Sequence, residues 1–241
     1  MVSSAVKKYA ALCMVCLCSS LFFLGLYQFN NKYSQDTIQA ANGILALSEE
    51  ELQKSPVRFL VSGWAFYPDA LLTPEEIRDE SHYMRYLSIG EQTNFSSPAN
   101  PSPYGCGTYQ MTFFLPERKE TYALEIPEVF SAYNLYLDHD LILQMGEPSQ
   151  GKPLVQNRMV TFHGGKPVTL TIAVSNYDHF YGGIVYPPAF GTMLAVNTTR
   201  GIRFAFCLFS CTVTFVCALL SFYFSRRMKQ KNTFLFGLIC L

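Results

Sequence analysis

Apolar and polar positions alternate most strictly near the end of the chain's middle section. Val168, Leu170, Ile172 and Val174 interleave there with Thr169, Thr171 and Ala173. A period of two places successive side chains on opposite faces, so this segment predicts a half-buried strand of an antiparallel sheet. The period recurs from Thr108 to Leu115, with Tyr109, Met111, Phe113 and Leu115 on one face. It recurs again where Tyr133, Leu135 and Leu137 alternate with Asn134, Tyr136 and Asp138. Arg58 to Tyr67 is rich in strand formers and predicts a further strand. Pro-, Ser- and Gly-rich breaks separate these runs at Ser96–Gly107, Leu115-Pro116-Glu117, Gly146–Gly151 and Gly164-Gly165-Lys166-Pro167. Helix signals are sparse: Asp36 as the cap of a short helix through about Ala46, and a capping box at Ser48-Glu49-Glu50-Glu51. Many short strands with regular breaks predict a mainly β domain, a β-sandwich or jelly roll.

Two longer apolar runs flank that domain. Tyr9 to Phe29 follows Lys7 and Lys8 and is long enough to span a bilayer. Its length favours an uncleaved anchor over a cleaved signal peptide, for which Cys18-Ser19-Ser20 offers the small residues. Phe204 to Phe224 carries no charge and, at about 1.5 Å per residue, covers the hydrocarbon thickness. Arg226, Arg227, Lys229 and Lys231 follow it. The positive-inside rule places both basic ends in the cytoplasm, leaving residues 30–200 outside the cell membrane of a multi-pass chain. A third run starts at Asn232 and reaches Leu241 after a short basic loop, 225–231. Ten residues do not cross a membrane, so the expectation is the start of a further span in a chain that continues.

Charge sharpens this division. All 18 acidic residues lie between Asp36 and Asp178. Residues 30–200 hold 11 Lys and Arg against 18 Asp and Glu, a balance near −7, although the whole chain is neutral. An acidic folded part excludes a nucleic-acid partner. Hydrophobic residues make up 49% of the 241 and charged ones 15%, which excludes intrinsic disorder and points away from an ordinary soluble enzyme. Seven of the eight cysteines sit in the apolar flanks and Cys106 is alone in the middle, so the domain must be held by its core.

The order of motifs resembles a known family. Asn42-Gly43-Ile44-Leu45-Ala46-Leu47 precedes Gly63-Trp64-Ala65-Phe66-Tyr67 and Leu71-Leu72-Thr73-Pro74-Glu75-Glu76. Gly107-Thr108-Tyr109 then opens a strand ending in Leu115-Pro116, and Ser131-Ala132-Tyr133-Asn134-Leu135-Tyr136-Leu137 follows. Val174-Ser175-Asn176-Tyr177, Gly182-Gly183 and Gly191-Thr192 close the series before the apolar run. From about residue 40 onward the chain resembles bacterial receptors with seven transmembrane helices and diverse intracellular signalling modules. The resemblance implies a galactose-binding-like jelly-roll sensory domain, similar to the sugar-binding domains of some glycosidases, flanked by transmembrane α-helices. It also implies a signal relayed to a cytoplasmic output module, and no such module is present in these 241 residues. Gln110 and Asp138-His139 stand where the family often has Arg and Asn-Gly.

Catalytic signatures are absent: there is no HExxH, P-loop or nucleophile elbow, and the four histidines are scattered. Asp138-His139-Asp140 would point alternately to opposite faces if extended, so it reads as a solvated hairpin and not as a metal site. Nothing singles out a carboxylate pair for glycoside hydrolysis. Trp64, in a Gly-Trp-x-Phe-Tyr strand, reads as core. The loop from Asn176 to Gly183 mixes aromatic and polar groups beside two permissive glycines, as ligand sites do. Its alternative role is a structural connection with Asn176 bonding the backbone. The candidate ligand-binding residues are Tyr104, Tyr109, Asn176, Tyr177, His179 and Tyr181, with no metal and no cofactor. Expected partners are the lipid bilayer, a carbohydrate or other small molecule, and a second copy or a separate signalling protein. Three functions follow in order: a sensory receptor domain, a non-signalling tethered binding module, and a surface glycosidase. Asn94-Phe95-Ser96 and Asn197-Thr198-Thr199 match the glycosylation sequon.

Overall fold

The computed structural model describes residues 4–33, 37–79, 81–90, 95, 102–117, 120–229 and 231–240. The elements in chain order are α1 (Ser4–Asn30), β1 (Ile44–Ala46), α2 (Glu49–Lys54), β2 (Val57–Phe59), β3 (Trp64–Pro68), α3 (Pro74–Asp79), β4 (Arg85–Leu87) and β5 (Gly105–Phe114). There follow β6 (Tyr122–Ile126), β7 (Ala132–Leu137), β8 (Asp140–Met145), β9 (Arg158–Phe162), β10 (Val168–Asn176), β11 (Ala189–Thr192), α4 (Met193–Met228) and α5 (Lys231–Ile239).

The strands form two sheets. The larger runs β4-β3-β5-β10-β7-β8, and the smaller runs β2-β11-β6-β9. All pairings are antiparallel except one: β1 lies parallel to β5 at Thr112–Phe114, where β3 has left that edge. Tyr109, Met111 and Phe113 of β5 and Leu170, Ile172 and Val174 of β10 face the same core, as their alternation predicts. The smaller sheet answers with Tyr122, Leu124, Phe162 and Phe190. Phe190 stacks on Phe113 at 5.1 Å and on Tyr122 at 5.8 Å, joining the two sheets through aromatic surface. Trp64 is fully buried and its indole donates to the Leu60 carbonyl at 3.0 Å, so it belongs to the core.

Several sequence expectations are corrected. No helix runs from residue 37 to 46. Asn42 and Gly43 both take positive φ, Ala41 bridges Ile44, and β1 follows; Asp36 lies outside the described residues. The strand read across Arg58–Tyr67 is two strands in different sheets, β2 and β3, separated at Gly63. Gly63 has φ +80°, and a Cβ there would stand 2.1 Å from the Ala40 carbonyl oxygen. The outer face of β10 is buried as well: Thr171, Ala173 and Ser175 are all covered. Ser175 donates to the Pro148 carbonyl and Thr171 accepts from Gln110, so polar residues fill a face expected to meet water. The capping box at Ser48 and Glu51 is present, and Asp138-His139 forms the β7–β8 hairpin turn with Asp138 at φ +54°. Asn94, Ser96 and Leu241 lie outside the described residues.

Arg58 is 1% exposed on β2. Its guanidinium donates to the carbonyls of Ile38, Glu51 and Ser55 at 3.1–3.3 Å, tying the segment before β1 and helix α2 to the smaller sheet.

Thr192 ends β11 and caps α4, its hydroxyl accepting from the Ala195 amide. Residues 195–203, between the sandwich and the charge-free run, therefore lie within the first turns of a continuous 36-residue helix. Its base packs on the sandwich: Val196 is buried, Arg203 lies over the Phe59 ring at 4.9 Å, and Arg200 meets Glu125 at 3.8 Å. Among the described residues α4 is the one helix long and apolar enough to cross a membrane. The first run is helical, but its described apolar stretch, Cys16–Phe29, is shorter than a span, so one candidate span stands where two were expected. The basic segment 225–231 is not a loop: α4 continues to Met228 and Lys229 caps it in the left-handed region. α5 then folds back, with Phe234 against Phe222 and Gly237 seated on Ser221 and Phe222.

Candidate functional site

The loop after β10 is built from its first residue. Asn176 is fully buried; its amide donates to the carbonyls of Pro103 and His179, and its Oδ1 accepts from the His179 amide at 3.0 Å. That clamp folds the loop and turns its aromatic residues outward. The His179 ring stacks on Phe130 with centroids 4.8 Å apart and planes 10° from parallel. Phe180 stacks on His179 at 4.8 Å, and Tyr181 packs against both, tilted 39° to Phe180 at 4.2 Å. His179 Nδ1 accepts from the Tyr181 amide at 3.1 Å, which leaves Nε2 as the ring's donor. Tyr186 closes the group, 6.4 Å from Phe130.

The structure brings only part of the predicted set together. His179 and Tyr181 belong to the stack. Asn176 supports it from beneath. Tyr109 is 3% exposed in the core, bonded to the Ile184 backbone, and burial pushes its phenol up to about 12. Its hydroxyl fills the space in front of Gly183, whose φ is +76°. Tyr104 and Tyr177 are half-exposed and make no ring contact with the stack among the described residues. Phe130, Phe180 and Tyr186 were not singled out in the sequence, and Phe130 lies about fifty residues away from the loop it joins.

The stack borders a cavity of about 1060 Å³. Phe130 and Tyr186 form one side, the end of α1 and residues 31–33 another, and Arg203 and Phe206 of α4 a third. Tyr33 fixes this corner. Its hydroxyl donates to the Val185 carbonyl at 2.8 Å, and its ring occupies the place that a Cβ at Gly90 would need. The Lys32 ammonium lies 5.6 Å over the Tyr186 ring. Burial, and secondarily the Arg203 charge, hold its pKa below the usual lysine range. No group of three or more acidic, His or Cys residues able to hold a metal occurs among the described residues.

No protein-family model and no curated protein matches the chain. Solved structures with a partly similar fold include a Faecalibacterium prausnitzii beta-glucuronidase, 17% identical, with a TM-score of 0.41, covering 57% of this chain and 32% of that one. Another is a GH2 beta-galacturonidase from Eisenbergiella tayi, 13% identical, TM-score 0.40, covering 56% and 24%. A GH2 member from Bacteroides cellulosilyticus is 12% identical with a TM-score of 0.46, covering 57% and 20%. The chain spans a third or less of the length of each of these proteins. Likenesses of that size assign it no substrate and no reaction.

Proposed function

We propose that the chain is a membrane-anchored binding module whose β-sandwich faces outward and acts as the sensory front end of a receptor. The galactose-binding-like jelly roll and the bacterial seven-transmembrane receptor family, reached from the order of its sequence motifs, belong to this proposal. The observation that carries it is the unbroken helix from Thr192 through the charge-free run Phe204 to Phe224. A strand of the sandwich, β11, passes directly into the candidate span, and Val196, Arg200 and Arg203 lock the helix base to the smaller sheet. A change in the sandwich is thereby transmitted to the helix without a flexible joint. The ligand, a carbohydrate or other small molecule, is taken by the aromatic stack around His179 and Tyr181. Aromatic faces with one polar ring donor suit an amphipathic ligand such as a sugar.

The test is a thermal-shift screen of the full chain in detergent against saccharides and small metabolites. A ligand whose affinity falls about tenfold or more on Phe130→Ala or Tyr181→Ala supports the site, since one buried aromatic contact is worth roughly that factor. A ligand indifferent to both variants places binding elsewhere. Hydrogen exchange then separates the two functional readings. Altered protection at 193–203 on ligand binding marks a sensor, and unaltered protection marks a tethered binder without relay.

A further inference from the structure

The cavity beside the aromatic stack has two unlike halves. Phe23, Leu26 and Phe29 of α1 and Phe206 of α4 form an apolar half. Lys32 and Arg203 form a cationic half. The boundary between them falls at Arg203-Phe204, where the charge-free run of α4 begins. Neither cation is joined to an acid by a salt bridge among the described residues, and Arg203 Nε is buried with no hydrogen-bond partner among them. Glu128 also lines the cavity, so the lining carries one net positive charge. A site that is apolar at bilayer depth and cationic at headgroup depth matches one class of ligand in both charge and shape.

We propose that this cavity holds one membrane phospholipid with a monoanionic headgroup, its phosphodiester between Lys32 and Arg203 and its acyl chains against Phe23, Leu26, Phe29 and Phe206. The inference rests on the membrane-anchored reading and adds a lipid ligand to it. Phosphate is drawn to paired Lys and Arg as a charge-assisted hydrogen-bond acceptor. The single net positive charge selects an anionic phosphodiester over a zwitterionic lipid. Because Phe130 and Tyr186 are shared with the aromatic stack, the lipid would brace the loop that carries His179 and Tyr181.

The test is native mass spectrometry of the full chain in neutral detergent with phosphatidylglycerol or phosphatidylcholine added. One phosphatidylglycerol adduct is expected, about fivefold tighter than phosphatidylcholine, from one net charge near a membrane surface. Lys32→Gln with Arg203→Gln should weaken it about thirtyfold. Arg226→Gln with Arg227→Gln should leave it unchanged. Phe206→Trp, which fills the apolar half and keeps both cations, should also weaken it, and this variant serves if the double charge variant fails to fold. Equal adducts in the double charge variant and in Phe206→Trp, or full displacement by excess inorganic phosphate, would overturn the proposal; the latter outcome identifies a simple anion pocket. Alkaline carbonate extraction separates the two levels. Wild-type chain released by carbonate overturns the anchor itself, whereas retained chain with unchanged adducts overturns the lipid site alone.

Discussion

Arg58 donates to three carbonyls belonging to segments that would otherwise lie loosely over the smaller sheet. Removing it breaks three charge-assisted bonds at once, although the Glu51 carbonyl keeps the Ser55 amide as a donor, so Arg58→Met should destabilise the full chain by ~2–4 kcal/mol in chemical denaturation. Tyr133 presents the opposite case. Its ring is buried, but its hydroxyl finds no hydrogen-bond partner among the described residues, and burial pushes its pKa up to about 12. Tyr133→Phe should therefore be neutral or slightly stabilising near neutral pH, because it deletes an unsatisfied buried group. Tyr109 and Tyr133 both ionise near 12 when folded against 10.0 ordinarily. A raised phenol pKa adds stability that is complete below pH 10.0 and is lost as pH rises from there towards about 12. Alkaline unfolding followed by circular dichroism should show the loss in that window, and Tyr133→Phe should move the midpoint to higher pH. At Gly63, φ of +80° and the nearby Ala40 carbonyl leave no room for a side chain. Gly63→Ala should cost more than ~2 kcal/mol, measured in the same denaturation experiment.

At the level of elements, the strands legible in the sequence are those whose core face is set by period-two alternation. β5, β7 and β10 appear within three residues of where Tyr109, Leu135 and Ile172 place them. β1 was not legible, because three residues paired to one end of β5 carry no periodicity of their own. The break between β2 and β3 was hidden for another reason. Arg58 to Tyr67 is uniformly strand-forming, and the bend at Gly63 answers to a contact with Ala40 more than twenty residues earlier. The outer face of β10 misled because Thr171 and Ser175 read as solvent-facing, whereas Gln110 and Pro148 bond them inside. For the candidate site, the aromatic composition of the 177–181 loop was readable. Its assembly with Phe130 and Tyr186 was not, since only the folded β6–β7 connection brings Phe130 to His179. The buried roles of Tyr109 and Asn176 likewise depend on what covers them. The α4–α5 hairpin offers its own test. Gly237 sits against Ser221 and Phe222 with no room for a larger side chain, so Gly237→Leu should separate the two helices. Amide hydrogen exchange across 231–239 should then rise at least severalfold over the parent in detergent, because α5 loses the Phe222–Phe234 contact that packs it on α4.

In the whole molecule, an acidic β-sandwich is joined to one long apolar helix without a flexible joint. At about 1.5 Å per residue, α4 is roughly 54 Å long, enough for the packed base, the hydrocarbon crossing and a basic end. The base of α4, the end of α1, Phe130 and Tyr186 all line the cavity, so under the proposed function the candidate ligand site lies next to the bilayer and not at the far end of the sandwich. Under the proposed function the sandwich lies outside and the cluster Arg226, Arg227, Lys229 and Lys231 lies inside, as the positive-inside rule expects. The most direct measurement is labelling of intact cells with a membrane-impermeant maleimide, using single cysteines in a cysteine-free full chain. Ser149→Cys, on the exposed β8–β9 connection, should label before permeabilisation, and Lys231→Cys should label only after it. Labelling of Lys231→Cys from outside with Ser149→Cys protected, or equal labelling of both in intact cells, would contradict the outward-facing, membrane-anchored sandwich.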